Sequence, residues 1–313
     1  MNIQQLEYLI AIDNYRHFAK AAEACNVTQP TLSMMVQKLE EELDVKLFDR
    51  STHPVEPTAI GRQVIDQARI SLKYVKQIKE IVESEQNTSK GSFHLGIIPT
   101  IAPYVIPELL YRQNSNYKDI ELVLKENPTY QIIANLQNGT LDGGLMAGPL
   151  NHPKLVEYPI YYEKFYAYVS PNDKLHKKKE VDMDKIDINN VWLLENVHCF
   201  RGQIERLCQK KRHSGENARP IRYEAGNIDT LINIVDLNQG LTVIPEMFAM
   251  GLSEDRQENL RPFKGLTAVR EVSLVVSGEY VRKTMLNTIT EIIKESVPKS
   301  MQNPALKKYI VDL

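Results

Sequence analysis

A helical pattern of apolar residues runs without a break through residues 58–83 and constrains the fold more than any other feature. Its members recur every three or four residues and are Val64, Ala68, Leu72, Val75, Ile78 and Val82. The spacing predicts one helix of about 25 residues and roughly 38 Å, which is too long for the core of a small domain. We therefore expect the helix to pair with a second copy of the chain and to separate two different modules.

The composition of the chain is that of a soluble globular protein. It has 313 residues, 42% of them hydrophobic and 25% charged, with a formal net charge of −2; this length predicts two or three domains. The N-terminal residues lack the pattern of a signal peptide, and no apolar run approaches the roughly 18 residues of a membrane span. Three cysteines are a low, odd count, typical of reduced thiols. We expect a cytoplasmic protein without a membrane partner.

Residues 1–58 predict three short helices and a β-ribbon, in the order of a helix-turn-helix. A small-residue helix covers 18–25, and Pro30 suits the first turn of the next helix. The ribbon is expected over 46–57. Cys25 is best explained as a small buried apolar side chain.

The charge of this module argues against DNA binding, and the local arrangement argues for it. Residues 1–60 hold five Lys/Arg and nine Asp/Glu, whereas DNA binding draws on phosphate neutralisation. The first turn of the third helix is neutral and polar, so it can contact bases and phosphates. The candidate DNA contacts are Thr28, Gln29, Pro30, Thr31, Ser33, Met34, Arg50 and His53. By pattern alone, a DNA-binding domain and a three-helix packing domain both stay open.

After a polar linker at 84–91, strands alternate with helices, which predicts an α/β domain with mostly parallel strands. The strands are expected at 93–98, 120–124, 145–146, 166–169, 241–244 and 272–276. The helices are expected after Thr100, at 130–136 and at 285–293.

Two cysteines, Cys199 and Cys208, stand nine residues apart, with His198 directly before the first and Arg201 close behind it. A nearby positive charge and a helix N-terminus both stabilise a thiolate, which is the form that attacks peroxide. The same residues and His213 would supply four zinc-type ligands, but their spacing fits no common zinc site. We expect no metal and no cofactor.

The spacing of the two cysteines makes them a poor structural staple. If 199–208 form one helix, nine residues rise about 13.5 Å and turn about 900°, which puts the thiols on opposite faces. A disulfide requires Cα atoms within roughly 7 Å. The pair therefore cannot bridge without local unfolding, and oxidation would rearrange the segment.

Several motifs carry a resemblance to a known family: FAKAAEA at 18–24, VTQPTLS at 27–33, KLEEEL at 38–43, LFDR at 47–50 and PTAIG at 57–61. They resemble the winged helix-turn-helix of LysR-type transcriptional regulators. LDGGL at 141–145 and GLTVIP at 240–245 resemble landmarks of that family's effector domain. The resemblance therefore spans the whole chain.

The resemblance implies three parts and a set of partners. The parts are a winged helix-turn-helix DNA-binding domain at 1–58, a linker (dimerisation) helix and hinge at 59–90, and a regulatory domain at 91–313 like the two-lobed periplasmic binding proteins. Lobe I would cover about 91–163 and 268–313, and lobe II about 164–267. The implied partners are double-stranded promoter DNA, RNA polymerase and further copies of the chain, in a dimer or the homotetramer usual for the family.

The cysteine segment resembles one LysR subgroup, the OxyR-type hydrogen-peroxide sensors. Their mark is a His-Cys pair, an arginine next but one, and a second cysteine nine residues after the first, and this chain matches it. The resemblance implies that hydrogen peroxide oxidises a peroxidatic Cys199, that Cys208 resolves it into a disulfide, and that the chain is not an enzyme. Thr100 and Thr129 match the subgroup's peroxide pocket together with His198; each alone also fits a helix N-cap. Arg270 matches its thiolate-supporting arginine.

Four residues depart from the relatives. Gly202 stands where an acidic residue is common, and Met34, Met35 and His53 stand where polar or basic residues are frequent.

Three other functions stay open. A LysR-type regulator would instead bind a small organic effector in the cleft between the lobes. A thiol peroxidase would turn over with a reductant, and a periplasmic-type binding protein would lack the N-terminal module.

Overall fold

The computed structural model describes the whole chain except residues 86–89, 118, 183–185, 187–189, 196–200, 205–222, 266–267 and 311–313, and the side chains of 79–80, 83–85 and 113–116. Contacts divide the chain into two compact units, Met1–Thr88 with Gln137–Thr140, and Ser89–Leu136 with Leu141–Leu313. Among the described residues, the first unit has one hydrophobic core and the second has two.

The N-terminal unit begins with three short helices and a two-stranded ribbon, as predicted. They are α1 (Ile3–Tyr15), α2 (Phe18–Ala24), α3 (Gln29–Leu43), β1 (Phe48–Asp49) and β2 (Glu56–Pro57), and the two strands are antiparallel. Polar side chains start the helices: Asn2 and Gln5 form a capping box on α1, and Thr28 caps α3. Leu9, Leu32 and other fully buried apolar residues fill the core between them.

Cys25 lies at the C-cap of α2, half-buried, and packs against this core. Burial, and then the nearby Glu7 carboxylate, raise the pKa of the thiol. Both effects favour the protonated form, which is a poor nucleophile.

The long helix α4 (Ala59–Glu85) runs for 27 residues, and its prediction is confirmed. Ile65 and Ala68 are buried near its start, whereas the large apolar side chains Tyr74, Val75, Ile78, Ile81 and Val82 are exposed. The pairing of this helix with another copy stays a prediction. None of the described helices combines the length and the apolar character that crossing a membrane requires.

The second unit contains a seven-stranded sheet. Its strands are β3 (Gly91–Ile97), β4 (Ile120–Glu126), β5 (Gly143–Gly148), β6 (Leu155–Val169), β9 (Leu241–Pro245), β10 (Leu260–Arg261) and β11 (Val269–Ser277). They lie in the order β10-β6-β11-β5-β3-β4, and β9 also pairs with β6. Two short parallel strands, β7 (Leu193–Leu194) and β8 (Glu224–Ala225), form a separate pair.

Helices pack against this sheet, and the three that the sequence predicts are among them. They are α5 (Ala102–Asn116), α6 (Thr129–Asn138), α7 (Ile228–Leu237), α8 (Glu246–Met250), α9 (Glu254–Gln257) and α10 (Lys283–Glu295). Short 3₁₀ helices occur at Lys174–Lys177, Lys299–Gln302 and Pro304–Tyr309. The end of α6 fits its sequence, because Gly139 follows with a φ of +75°, which glycine adopts without strain.

The prediction of mostly parallel strands is wrong for the described sheet. Only β3 pairs in parallel, with β4 and β5, whereas β11 is antiparallel to β5 and β6, and β6 is antiparallel to β9 and β10. The reason is that β6 carries the chain from one core to the other and β11 carries it back. Two neighbouring strands that cross in opposite directions must be antiparallel. Glu163 of β6 lies directly opposite Arg270 of β11 at this crossing.

Candidate functional site

Thr100 and Thr129 follow two neighbouring parallel strands, β3 and β4, at the same edge of the sheet. Ile97 pairs with Glu126 at the strand ends, and the amide of Asn127 donates to the carbonyl of Ile97 over 3.0 Å. Thr100 lies three residues after Ile97, and Thr129 lies three residues after Glu126 and begins α6. Thr100 is buried and Thr129 half-buried. The carboxyl ends of parallel strands are where α/β sheets hold ligands.

Arg270 binds Thr100 through the end of its guanidinium group. Nη1 donates to Thr100 Oγ1 over 2.9 Å, and Nη2 donates to the Thr100 carbonyl over 3.2 Å. The Arg270 side chain is only 1% exposed, so these bonds lie away from solvent and are stronger than their surface equivalents. The structure thus brings together two of the residues that the sequence singled out.

Glu163, the partner of Arg270, was not among the residues predicted from the sequence. Its carboxylate is 0% exposed, and Oε1 accepts from Arg270 Nε over 2.6 Å. Oε2 accepts from the amide of Met247, at the start of α8, over 3.1 Å. A signal was available: Glu163 interrupts a run of aromatic residues in β6, and Arg270 interrupts the apolar β11. A buried charge needs a partner, so two such interruptions predict a pair.

Two tyrosines share the electrostatic field of this ion pair. Tyr161 is fully buried, two residues before Glu163 on β6, and its Oη finds no hydrogen-bond partner among the described residues. Burial and the Glu163 carboxylate raise the pKa of Tyr161 well above its ordinary value, and Arg270 opposes this. Burial, Asp229 and Glu163 likewise raise the pKa of Tyr104. Both phenols are therefore neutral.

The cysteine segment lies mostly outside the described residues. His198, Cys199 and Cys208 belong to that part, so their predicted roles stay predictions. Residues 201–204 are helical. Arg201 Nη1 donates to Glu224 Oε1 over 2.6 Å and to the Leu194 carbonyl over 3.2 Å, so part of its charge is balanced by that carboxylate.

The predicted DNA contacts lie at the surface of the N-terminal unit. Those at the start of α3, namely Thr28, Gln29, Pro30, Thr31 and Met34, are exposed, and Ser33 is half-exposed. Thr28 Oγ1 accepts from the amide of Thr31 over 3.4 Å. His53 is exposed in the loop between the two ribbon strands. An exposed polar helix start is the part of a helix-turn-helix that meets the major groove.

Arg50 is fixed beside this helix start by three contacts. Its guanidinium lies 5.1 Å from the centroid of the Phe18 ring, and donates to Ser33 Oγ over 3.4 Å and to Glu40 Oε2 over 3.2 Å. The Glu40 side chain is 1% exposed and also accepts from the amide of Leu47 over 2.8 Å. The excess of acidic over basic residues in this module therefore overstates the negative charge of its surface, because the Glu40 carboxylate is buried and bound inside the fold.

No metal centre is evident in the part of the chain that the structure describes, where no three His, Cys, Asp or Glu side chains converge. What the site does offer is a buried cation held against a hydroxyl at a sheet edge. Such a group stabilises negative charge that develops on a small bound molecule or on a neighbouring sulfur.

Comparison with known families covers nearly the whole chain. Residues 3–62 match the bacterial regulatory helix-turn-helix protein, lysR family, and residues 86–298 match the LysR substrate binding domain. The hydrogen peroxide-inducible genes activator of Haemophilus influenzae is 35% identical over 247 residues, covering 79% of this chain and 81% of the relative. The DNA-binding transcriptional dual regulator OxyR of Escherichia coli K12 is 33% identical over 247 residues, covering 79% and 80%.

Solved structures give the same result. Full-length OxyR C199D from Pseudomonas aeruginosa aligns with a TM-score of 0.76 and 27% identity, covering 94% of this chain and 98% of that chain. OxyR from Porphyromonas gingivalis aligns with a TM-score of 0.63 and 30% identity, covering 68% and 96%. The two-lobed α/β fold with an N-terminal winged helix-turn-helix is thereby confirmed. The chain belongs to the LysR family of bacterial transcriptional regulators, within its OxyR branch of hydrogen peroxide-inducible genes activators.

Proposed function

We propose that the protein is a cytoplasmic transcriptional regulator of the peroxide stress response that is switched by oxidation of Cys199. Hydrogen peroxide binds near Thr100, Thr129 and His198, with Arg270 and Arg201 supporting the Cys199 thiolate. Relatives named as hydrogen peroxide-inducible genes activators support this proposal, as does a Corynebacterium glutamicum OxyR mutant described as H₂O₂-bound.

The observation that carries the proposal is the buried contact of Arg270 Nη1 with Thr100 Oγ1, at 2.9 Å. A threonine hydroxyl that accepts from a guanidinium keeps its own hydrogen for donation to another atom. Hydrogen peroxide offers two oxygens that accept such a bond. The arginine meanwhile favours the negative charge that develops as the O–O bond breaks.

The chemistry is a two-electron oxidation in two steps. The Cys199 thiolate attacks one peroxide oxygen and the O–O bond breaks; the other oxygen leaves as hydroxide and takes a proton to become water. The sulfur is then a sulfenic acid. The Cys208 thiol attacks it, a second water leaves, and a disulfide joins the two sulfurs. The constraint on disulfide geometry requires 199–208 to rearrange if that segment is helical.

The remaining partners follow from this function. The start of α3, with Arg50 and His53 beside it, contacts double-stranded promoter DNA. The exposed apolar side chains of α4 pair with a second copy, and the protein works as a dimer or homotetramer that communicates with RNA polymerase. Oxidation consumes one peroxide per disulfide and leaves a changed regulator, so the protein is not an enzyme.

The test is mass spectrometry of purified full-length protein after one equivalent of hydrogen peroxide. We expect a Cys199–Cys208 disulfide, its loss in Cys199→Ser, and accumulation of a sulfenic acid on Cys199 in Cys208→Ser. Cys25→Ser is the matched control and behaves like the parent. A transcriptional response that persists in Cys199→Ser favours an organic effector instead, and sustained peroxide turnover with a thiol reductant favours a peroxidase.

A further inference from the structure

Glu163 is a buried carboxylate that has no role in the proposed oxidation steps. It lies at the crossing of β6 and β11, where the chain passes between the two cores of the C-terminal unit. One oxygen binds Arg270 and the other binds the start of α8. Lys164, its neighbour, is tied to the same helix, because its amide donates to Glu246 Oε2 over 3.1 Å. These two bonds fix this part of β6 against α8.

Through the geometry of the arginine, Glu163 fixes the direction of the hydrogen bonds that Arg270 donates to Thr100. The guanidinium is planar and rigid, so fixing the direction of Nε also fixes the directions of Nη1 and Nη2. Glu163 holds Nε, and Nη1 and Nη2 both reach Thr100. The hydroxyl of Thr100 is thereby held as an acceptor toward Arg270, and its hydrogen is aimed elsewhere.

The carboxylate also sets the charge of the site. Arg270 without an anion would be an uncompensated charge in the protein interior, which is strongly unfavourable. With Glu163 at 2.6 Å the pair is neutral overall, yet the Nη end of the guanidinium still presents its hydrogens to Thr100. The pair thus presents a directional donor to Thr100, although its own net charge is zero.

We propose that Glu163 is a positioning residue for the reaction of Cys199 with hydrogen peroxide, and that it acts through Arg270 on the Thr100 hydroxyl. This inference rests on the proposed function. It assigns the carboxylate neither contact with peroxide nor proton transfer. Its effect must therefore vanish when Arg270 is absent.

A double-mutant cycle in the full-length protein tests this dependence. The rate constant for loss of the Cys199 thiol is measured with hydrogen peroxide, and separately with iodoacetamide, a neutral alkylating reagent that has no O–O bond to polarise. We expect Glu163→Gln to lower the peroxide rate by about 10- to 100-fold, the range for a misplaced group in an active site. Its iodoacetamide rate should change less than threefold (about 0.65 kcal/mol). In an Arg270→Met background, Glu163→Gln should change neither rate.

Glu271→Gln is the matched control, because Glu271 is a buried glutamate beside Arg270 and lies opposite Tyr162 rather than Glu163. We expect it to leave the peroxide rate unchanged. If Glu163→Gln leaves Arg270 unpaired and does not fold, Glu163→Asp replaces it in the same cycle, since it keeps the charge and shortens the reach.

The outcomes separate the inference from the proposed function. An unchanged peroxide rate in the Glu163 variant overturns the inference, as does an equal fall with both reagents or an undiminished effect in the Arg270→Met background. If Cys199 of the parent protein reacts with peroxide no faster than an ordinary thiol does, the proposed function itself fails.

Discussion

Arg270 and Thr100 are 170 positions apart in the sequence, yet the guanidinium of one binds both the hydroxyl and the carbonyl of the other. The contact joins β11 to the loop after β3, so it forms only when the central sheet is assembled. Because both residues are buried, the hydroxyl is oriented by the fold rather than by solvent.

Replacing Thr100 by valine should impair peroxide oxidation more than it impairs folding. Valine has nearly the same shape but leaves Arg270 Nη1 without this acceptor, which costs about 1–3 kcal/mol of the free energy of unfolding. We expect the rate of Cys199 oxidation by peroxide to fall about tenfold or more. The rate is measured by quenching the peroxide reaction at set times and determining the remaining Cys199 thiol by mass spectrometry. Thermal unfolding measures the stability.

Ser273→Ala is a suitable control for that variant. Ser273 is fully buried on β11 and donates to Glu271 over 3.2 Å, so its loss also removes a buried hydroxyl contact. It should cost a similar free energy without slowing the peroxide reaction. Equal rate losses in the two variants would mean that Thr100 matters only for stability.

Tyr161→Phe should stabilise the protein. The Tyr161 hydroxyl is buried without a hydrogen-bond partner among the described residues, and a buried unsatisfied group costs about 1–3 kcal/mol. Removing it leaves the aromatic packing intact, so chemical denaturation should show a gain of about 1 kcal/mol. A loss of that size would instead reveal that the hydroxyl has a partner.

The local elements were predictable because their signals are local. The repeat of apolar residues predicted α4, and Pro30 predicted the first turn of α3. Thr100 and Arg270 were reached through the family resemblance. Their contact was not predicted, since it depends on which strands are neighbours.

The antiparallel crossing of β6 and β11 could not be predicted from the sequence. Most of β11 and the second half of β6 are buried on both faces, and such runs give no sign of direction. The charged interruptions of the two strands suggest a buried ion pair, but only the register between the strands places Glu163 opposite Arg270. Residues 155–165 were missed as strand, although their aromatic and β-branched side chains favour one.

Arg50→Gln should weaken DNA binding by the same factor on every sequence. Arg50 lies exposed beside the start of α3 and is stacked on Phe18, and we propose that its guanidinium contacts a phosphate rather than a base. The slope of log K against log salt is negative, and loss of one phosphate contact reduces its magnitude by about 0.9. Fluorescence anisotropy with a promoter duplex and an unrelated duplex measures both slopes. A loss confined to the promoter duplex would assign Arg50 to base recognition.

Gly202→Asp should be tolerated by the fold and should accelerate the peroxide reaction. Among the described residues, apart from its chain neighbours and its own helix backbone, no atom lies within 4 Å of the position that a Cβ would take. Gly202 lies in the helical turn at 201–204, where a residue with a side chain loses less backbone entropy on folding than glycine does. A carboxylate there also supplies a proton acceptor three residues from Cys199 in the sequence. It should raise the rate of thiol oxidation near neutral pH several-fold.

Gly202→Asn is the matched uncharged control, expected to have the same stability and an unaltered rate. If asparagine accelerates the reaction equally, the gain comes from ordering the turn and not from the carboxylate, and a pH profile of the two variants distinguishes these causes.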